Sequence, residues 1–162
     1  LHKIFERYGE ITNSKTLAAL IVEIRKTQSL TTTGEFKNAL YPVVKGNPEK
    51  YFAQIFQALR IEVNDELNVL KEMLLQSSAV MATGGRIAVI TFHSLEDRIV
   101  KNFFRYGNFE EQQQDVFGNV KKGEWKVITK KPIIPSKEEL KNNPRSRSSK
   151  LRIAEKIKVS EE

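Results

Sequence analysis

The sequence predicts an α/β fold preceded by a helical N-terminal portion, on three observations. A Gly84-Gly85 turn opens the run Arg86 to Phe92, where Ile87 and Val89 alternate with Ala88, Ile90 and Phe92. That run is apolar on both faces, the pattern of a strand buried inside a parallel sheet. A long helical pattern precedes it and another follows, the arrangement of half a βαβ crossover. Two shorter strand-like runs, Trp125 to Thr129 and Leu151 to Lys158, come later. At 162 residues the chain has the length of one ordinary domain with room for a core.

Each element has a local cause. Leu1, Ile4 and Phe5 share one helical face, which Tyr8-Gly9 ends. Asn13 or Ser14 can cap a second helix in which Leu17, Leu20, Ile21 and Ile24 recur at spacings of three and four. Thr31 to Glu35 reads as a loop leading into a short helix over Phe36 to Val44, and Lys45-Gly46-Asn47 breaks the chain again. Asn47 before Pro48 is an N-cap followed by proline at the first helical position. The stripe Phe52, Ile55, Phe56, Leu59, Val63, Leu67, Leu70 and Leu74 predicts one long helix from Pro48 to about Ala82. Ser94 starts the helix after the strand, burying Ile99, Val100, Phe103 and Phe104, and Tyr106-Gly107 closes it. Residues 108–123 read as a polar loop. A short helix is expected near Ser136 to Lys141. In the last strand Leu151, Ile153 and Ile157 share a face, so the odd positions are expected inside. A strand buried on both faces needs neighbours on both edges, yet only two candidate partners follow it. The sheet therefore reads as unfinished on its N-terminal side.

Charge narrows the partner. The chain has 27 Lys+Arg against 20 Asp+Glu, a net charge of +7. Residues 121–158 alone hold 13 Lys/Arg and 4 Asp/Glu, a balance of +9, which leaves −2 for the remainder. A basic C-terminal portion points to a polyanion, RNA or DNA ahead of an anionic membrane. There is no cysteine, hence no disulfide and no Cys-ligated metal, and nothing suggests a metal site. No run approaches the length of a membrane span, no signal peptide is visible, and a cytoplasmic protein is the default.

Three constellations carry candidate chemistry. His93, Ser94, Glu96, Asp97 and Arg98 follow the strand, at the carboxyl end where open α/β sheets bind ligands. Ser94 as N-cap with Asp97 three residues on makes a capping box that explains the hydroxyl and the acids without a function. It leaves His93, which beside a helix N-terminus is suited to hydrogen-bond a base or phosphate. A Ser/His/Asp hydrolase does not fit: the G-x-S-x-G elbow is missing, and adjacent residues of an extended backbone point apart. On the long helix Gln57, Arg60 and Asn64 share a face, with Glu62 and Asp65 close by. That face is either solvated and laced with ion pairs or lines a cleft. The stretch Asn142 to Lys150, with Arg145 and Arg147 flanking Ser146, is composed for phosphate contact or for a disordered linker. Its place just before a strand favours order. There is no G-x-G-x-x-G and no P-loop.

Taken together, Phe56 to Leu67, Phe92 to Arg98 and Asn143 to Arg152, with Thr32-Thr33-Gly34-Glu35, resemble the bacterial small-subunit rRNA methyltransferase H family, also called MraW. The resemblance runs from about residue 1 to residue 157. It implies methyl transfer from S-adenosylmethionine to the exocyclic N4 of a cytidine in small-subunit rRNA. It also implies the last three strands of a class I methyltransferase fold with a helical insertion. Residues 1–47 would be that insertion, the substrate-side lobe, and residues 48–162 the C-terminal half of the α/β domain, its last two strands an antiparallel pair. The glycine-containing loop and acidic residue that hold the cofactor in such enzymes have no counterpart here. With the open sheet and the missing initiator Met, this leads to the expectation of a C-terminal fragment, inactive alone and prone to self-association through its open edge. Under the resemblance His93 and Glu96 become candidate catalytic wall residues, and Arg60, Asn64, His93, Ser94, Arg145 and Arg147 candidate rRNA contacts. The alternatives are a non-catalytic RNA-binding or interaction module and, behind it, another nucleotide-binding α/β enzyme.

Overall fold

The computed structural model describes residues 1–109 and 123–158. Most of the loop expected over 108–123 lies outside them. The chain forms two compact units, Leu1–Glu66 and Leu67–Glu162.

The first unit is all helical: α1 (His2–Gly9), α2 (Ser14–Thr27), α3 (Thr33–Leu40), a 3₁₀ turn (Tyr41–Val43) and α4 (Pro48–Asn64). Phe5, Leu17, Leu40 and Ile55 are fully buried at its centre, with Tyr51 and Phe52 beside them. Gly9 lets α1 approach α4 closely, because a Cβ there would sit 3.0 Å from the Gln54 carbonyl oxygen and crowd it. Asn13 precedes α2 but does not cap it. Its Nδ2 donates instead to the Val43 carbonyl at 2.8 Å and its Oδ1 accepts from the Tyr51 hydroxyl at 2.9 Å. Those bonds satisfy a buried amide and tie three segments together. Thr32 and Glu35 form a reciprocal capping box at α3, and Asn47 caps α4 by accepting from Lys50 N at 3.0 Å.

The helix expected over residues 48–82 is two helices. Asp65 adopts the left-handed conformation, φ 51°, and ends α4, and α5 (Glu66–Val80) begins directly after it. Aspartate tolerates that region better than most side chains, so the break needs neither Gly nor Pro. Val63, expected in the apolar stripe, is exposed, while Ala58 and Ile61 are buried. Thus α4 contributes to the core of the first unit.

The second unit holds α5, β1 (Arg86–Thr91), α6 (Ser94–Tyr106), β2 (Trp125–Val127), α7 (Lys137–Asn142), a 3₁₀ turn (Pro144–Ser148) and β3 (Lys150–Lys156). Its sheet has the order β1-β3-β2 and is antiparallel throughout, with Thr91 opposite Lys150 and Val127 opposite Ala154. Ile133 extends the pairing with a bridge to Leu151. One face packs on α6, where Val89, Val100, Phe103, Phe104, Trp125 and Ala154 form the core. Trp125 lies 6.0 and 5.8 Å from the rings of Phe103 and Phe104. Lys156 Nζ donates to the Ser78 and Met81 carbonyls, capping the end of α5 from the sheet.

Two expectations about the strands are corrected. β1 is buried on one face only: Val89 and Thr91 are covered, whereas Ala88, Ile90 and Phe92 are exposed, the last two by 58% and 54%. Among the described residues β1 is also an edge strand. In β3 the buried side chains are at even positions, Arg152 and Ala154, and the apolar Leu151 and Ile153 are only half-buried. The physical reason is the same in both strands. α6 covers the face that carries Val89 and Ala154, and the more apolar face is left uncovered.

Candidate functional site

The sheet brings two of the three constellations to one end of the second unit. β1 runs out at Thr91 opposite the first residue of β3, and Thr91 Oγ1 donates to the Lys150 carbonyl at 3.4 Å. The turn carrying Phe92 and His93 and the segment carrying Arg145 and Arg147 therefore flank the same strand ends.

His93, not Ser94, is the N-cap of α6. Its Nδ1 accepts from Glu96 N at 3.3 Å, and Glu96 Oε2 accepts from Phe92 N at 2.8 Å and His93 N at 3.2 Å. The box is thus shifted one residue toward the strand. An Nδ1 that accepts leaves the proton of a neutral imidazole on Nε2, which lies 3.5 Å from Glu96 Oε1. Ser94 is exposed at the first helical position. The residues expected as catalytic candidates are consequently locked to each other by the geometry of the helix start.

Asp97, expected to complete a box with Ser94, turns the other way. Its carboxylate takes two bonds from Arg152, Nε to Oδ1 at 2.6 Å and Nη2 to Oδ2 at 3.0 Å, with Lys150 Nζ 3.5 Å from Oδ2. Burial, the largest influence on this carboxyl, pushes its pKa up. The hydrogen bonds and charge of Arg152, joined by Lys150, outweigh it and hold the group below its ordinary value. Arg152 is 7% exposed and Asp97 9%. Sequence reasoning missed this pair. The one available signal was an arginine among the apolar residues Leu151, Ile153 and Ala154 of that strand.

Arg145 and Arg147 lie in a 3₁₀ turn, both exposed, on either side of a buried Ser146. Ser146 Oγ donates to the Asn143 carbonyl at 2.7 Å, and Ser149 N donates back to the Ser146 carbonyl at 2.8 Å. The stretch is therefore an anchored turn that presents two guanidiniums from a fixed base, and the linker reading is set aside.

The third constellation belongs to the first unit. Arg60 Nε and Nη2 donate to the two Glu66 carboxylate oxygens at 2.7 and 3.1 Å, and Asn64 Nδ2 to Oε1 at 3.2 Å. Gln57 Nε2 donates to the Tyr8 carbonyl at 2.9 Å, joining α4 to α1. This face of α4 is laced with polar bonds of its own. None of the described helices is long and apolar enough to cross a membrane.

A model of the MraW methylase family matches residues 1–157. The chain is 50% identical over 159 residues to a ribosomal RNA small subunit methyltransferase H of Parabacteroides distasonis, covering 97% of this chain and 52% of that protein. It is 53% identical over 156 residues to the protein of that name from Azobacteroides pseudotrichonymphae, covering 95% and 51%. With the Bacteroides fragilis protein it shares 49% over 158 residues, covering 96% and 52%. The chain thus spans about half the length of the curated relatives it matches.

Proposed function

Because the chain belongs to the MraW methylase family, we propose that it is the substrate-facing, C-terminal part of an S-adenosylmethionine-dependent rRNA methyltransferase acting on cytidine N4. The supporting observation is the family match over residues 1–157, joined to about 50% identity with proteins named for small-subunit rRNA methylation. On this reading β1 to β3 end a class I methyltransferase sheet. The exposed face and edge of β1 are then where the rest of that sheet lies. The helices before residue 48 form the substrate-side lobe, and the enzyme works in the cytoplasm.

The residues present do not fit the methyl donor. Among the described residues the strand-to-helix turn that leads out of the sheet, β1 into α6, carries no glycine. Its leading amides are already held by Glu96 and His93. A turn without glycine, with the Phe92, His93 and Glu96 amides engaged, lacks the close backbone approach that a bulky charged cofactor takes at such a site. This chain therefore contributes to the acceptor side.

The N4 lone pair of cytosine is delocalised into the ring, so catalysis requires the amine to be fixed in line and its proton to be accepted. Arg145 and Arg147 hold RNA phosphates from their anchored turn, which positions an unstacked cytidine at the end of β1. His93 and Ser94 belong to the wall there, Ser94 exposed and His93 with its largely buried imidazole fixed by Glu96. In this geometry His93 and Glu96 are positioning residues, since the Nδ1 lone pair and the Oε2 oxygen are engaged by backbone amides. Arg60 and Asn64 meet RNA only by exchanging Glu66 for a phosphate, one charged partner for another, and so rank behind Arg145 and Arg147.

The test is methylation of small-subunit particles by a protein of the relatives' length carrying this chain. Arg145→Ala with Arg147→Ala should raise KM for the particle at least tenfold and leave kcat within about threefold, the signature of lost ground-state binding. Unchanged KM would remove the turn from the RNA interface. The runner-up, an RNA-binding module without chemistry, rests on the poor fit to the methyl donor. It predicts particle binding and no methyl transfer by that longer protein.

A further inference from the structure

The second unit contains a cavity of about 350 Å³ where four basic side chains, Lys101, Arg105, Lys130 and Arg152, meet. Its volume is at the lower end of the range for ligand pockets, about 300–1,000 Å³, enough for a phosphate and part of a sugar. Phe104, Val127 and Thr129 complete its lining, and no carboxylate lines it among the described residues. Arg152 is its fixed element. Asp97 holds Nε and Nη2, leaving Nη1 as the guanidinium nitrogen without a partner among the described residues. A buried arginine clamped on two nitrogens presents its third with little rotamer entropy left to lose. Arg105 and Lys130 are exposed at the rim, and Lys131 continues the charge along the chain.

We propose that this cavity binds a phosphodiester of the RNA backbone, a second anion-holding point besides the Arg145–Arg147 turn. The inference rests on the rRNA reading and extends it to residues which that reading does not use. A free phosphate is best held by a closed cage of buried donors. Here one cation is buried and at least two are exposed at the rim, an arrangement that follows a polymer passing over the opening. The apolar lining from Phe104 and Val127 suits the carbon face of a ribose.

The experiment is a fluorescence-anisotropy titration of a labelled single-stranded RNA into this chain and into its R105E/K130E variant across a salt series. Both sites are on the surface, and an unchanged urea midpoint verifies the fold; R105Q/K130Q serves if charge reversal perturbs it. The variant should bind about tenfold more weakly. Its slope of log affinity against log salt should be shallower by about 1.4, two phosphate contacts at about 0.7 each for a single strand. Equal affinity and equal slope in wild type and variant would overturn the proposal while leaving the rRNA reading in place. Absence of RNA binding by the wild type would defeat both. If inorganic phosphate raises the melting temperature of wild type but not of the variant, while RNA binding is the same in both, the site takes free phosphate and the RNA assignment falls.

Discussion

Asp97→Ala should destabilise the second unit by about 3–5 kcal/mol, the cost of leaving a buried charge without its partner. The structure sets that scale. Arg152 is 7% exposed, and both of its bonds to protein end on one carboxylate at 2.6 and 3.0 Å. Lys150, at 3.5 Å with its side chain 39% exposed, adds about 0–1 kcal/mol at most. Arg152→Met alone should cost a similar amount, because it strands the carboxylate instead. The double variant D97L/R152M should recover most of the loss, since apolar groups of similar volume commonly replace a buried ion pair at little net cost. Urea unfolding followed by fluorescence reads this unit specifically, because the single tryptophan, Trp125, is 4% exposed in its core. At an m value of about 2 kcal/mol/M, Asp97→Ala should lower the midpoint by about 1.5–2.5 M. The pH dependence has a definite sign. The folded carboxyl titrates below its ordinary value, so its stabilisation is present above the unfolded pKa of about 3.9 and is lost as pH falls through the lowered folded value. The gap between wild type and Asp97→Ala should therefore close below about pH 4. A midpoint shift under about 0.5 M, or additive effects in the double variant, would refute the reasoning.

Two further outcomes separate structure from function. His93→Asn keeps an N-cap acceptor and should leave the urea midpoint nearly unchanged, whereas His93→Ala should cost about 1 kcal/mol. If the imidazole serves the substrate, both variants of the longer protein should lose methylation, and wild-type turnover by His93→Asn would confine His93 to capping. The uncovered face and edge of β1 predict that this chain alone self-associates. Light scattering should show a concentration-dependent mass that Ile90→Lys reduces, and a monodisperse monomer across the range would contradict it.

Local chemistry made much of this fold legible. The Asn47-Pro48 start and the Gly84-Gly85 entry into β1 sit where their residues predict, because each is decided within a few positions, whereas the stretch read as a loop before Phe36 is already the first turn of α3, boxed by Thr32 and Glu35. The misreadings have distant causes. Ser94 is the stronger N-cap by preference, but its partner Asp97 is claimed by Arg152, 55 residues away in sequence. With Asp97 engaged, Glu96 reaches back to His93 and the box moves by one residue. The same pair inverts β3. A buried Arg152 reads as solvent-facing until its carboxylate is known, so the apolar Leu151–Ile153 face looked like the inner one. The break at Asp65 was hidden because the apolar spacing continues across it. Of the candidate site, the Arg145–Arg147 turn and the end of β1 were visible as composition and position. Their meeting at one end of the sheet depended on a register that composition does not encode.

The most direct test is transfer of labelled methyl from S-adenosylmethionine to small-subunit particles by the longer protein, followed by nucleoside analysis of the rRNA. The account predicts label in N4-methylcytidine with the longer protein and none with this chain alone. Label on a ring carbon or a ribose oxygen, or transfer by this chain unaided, would contradict it.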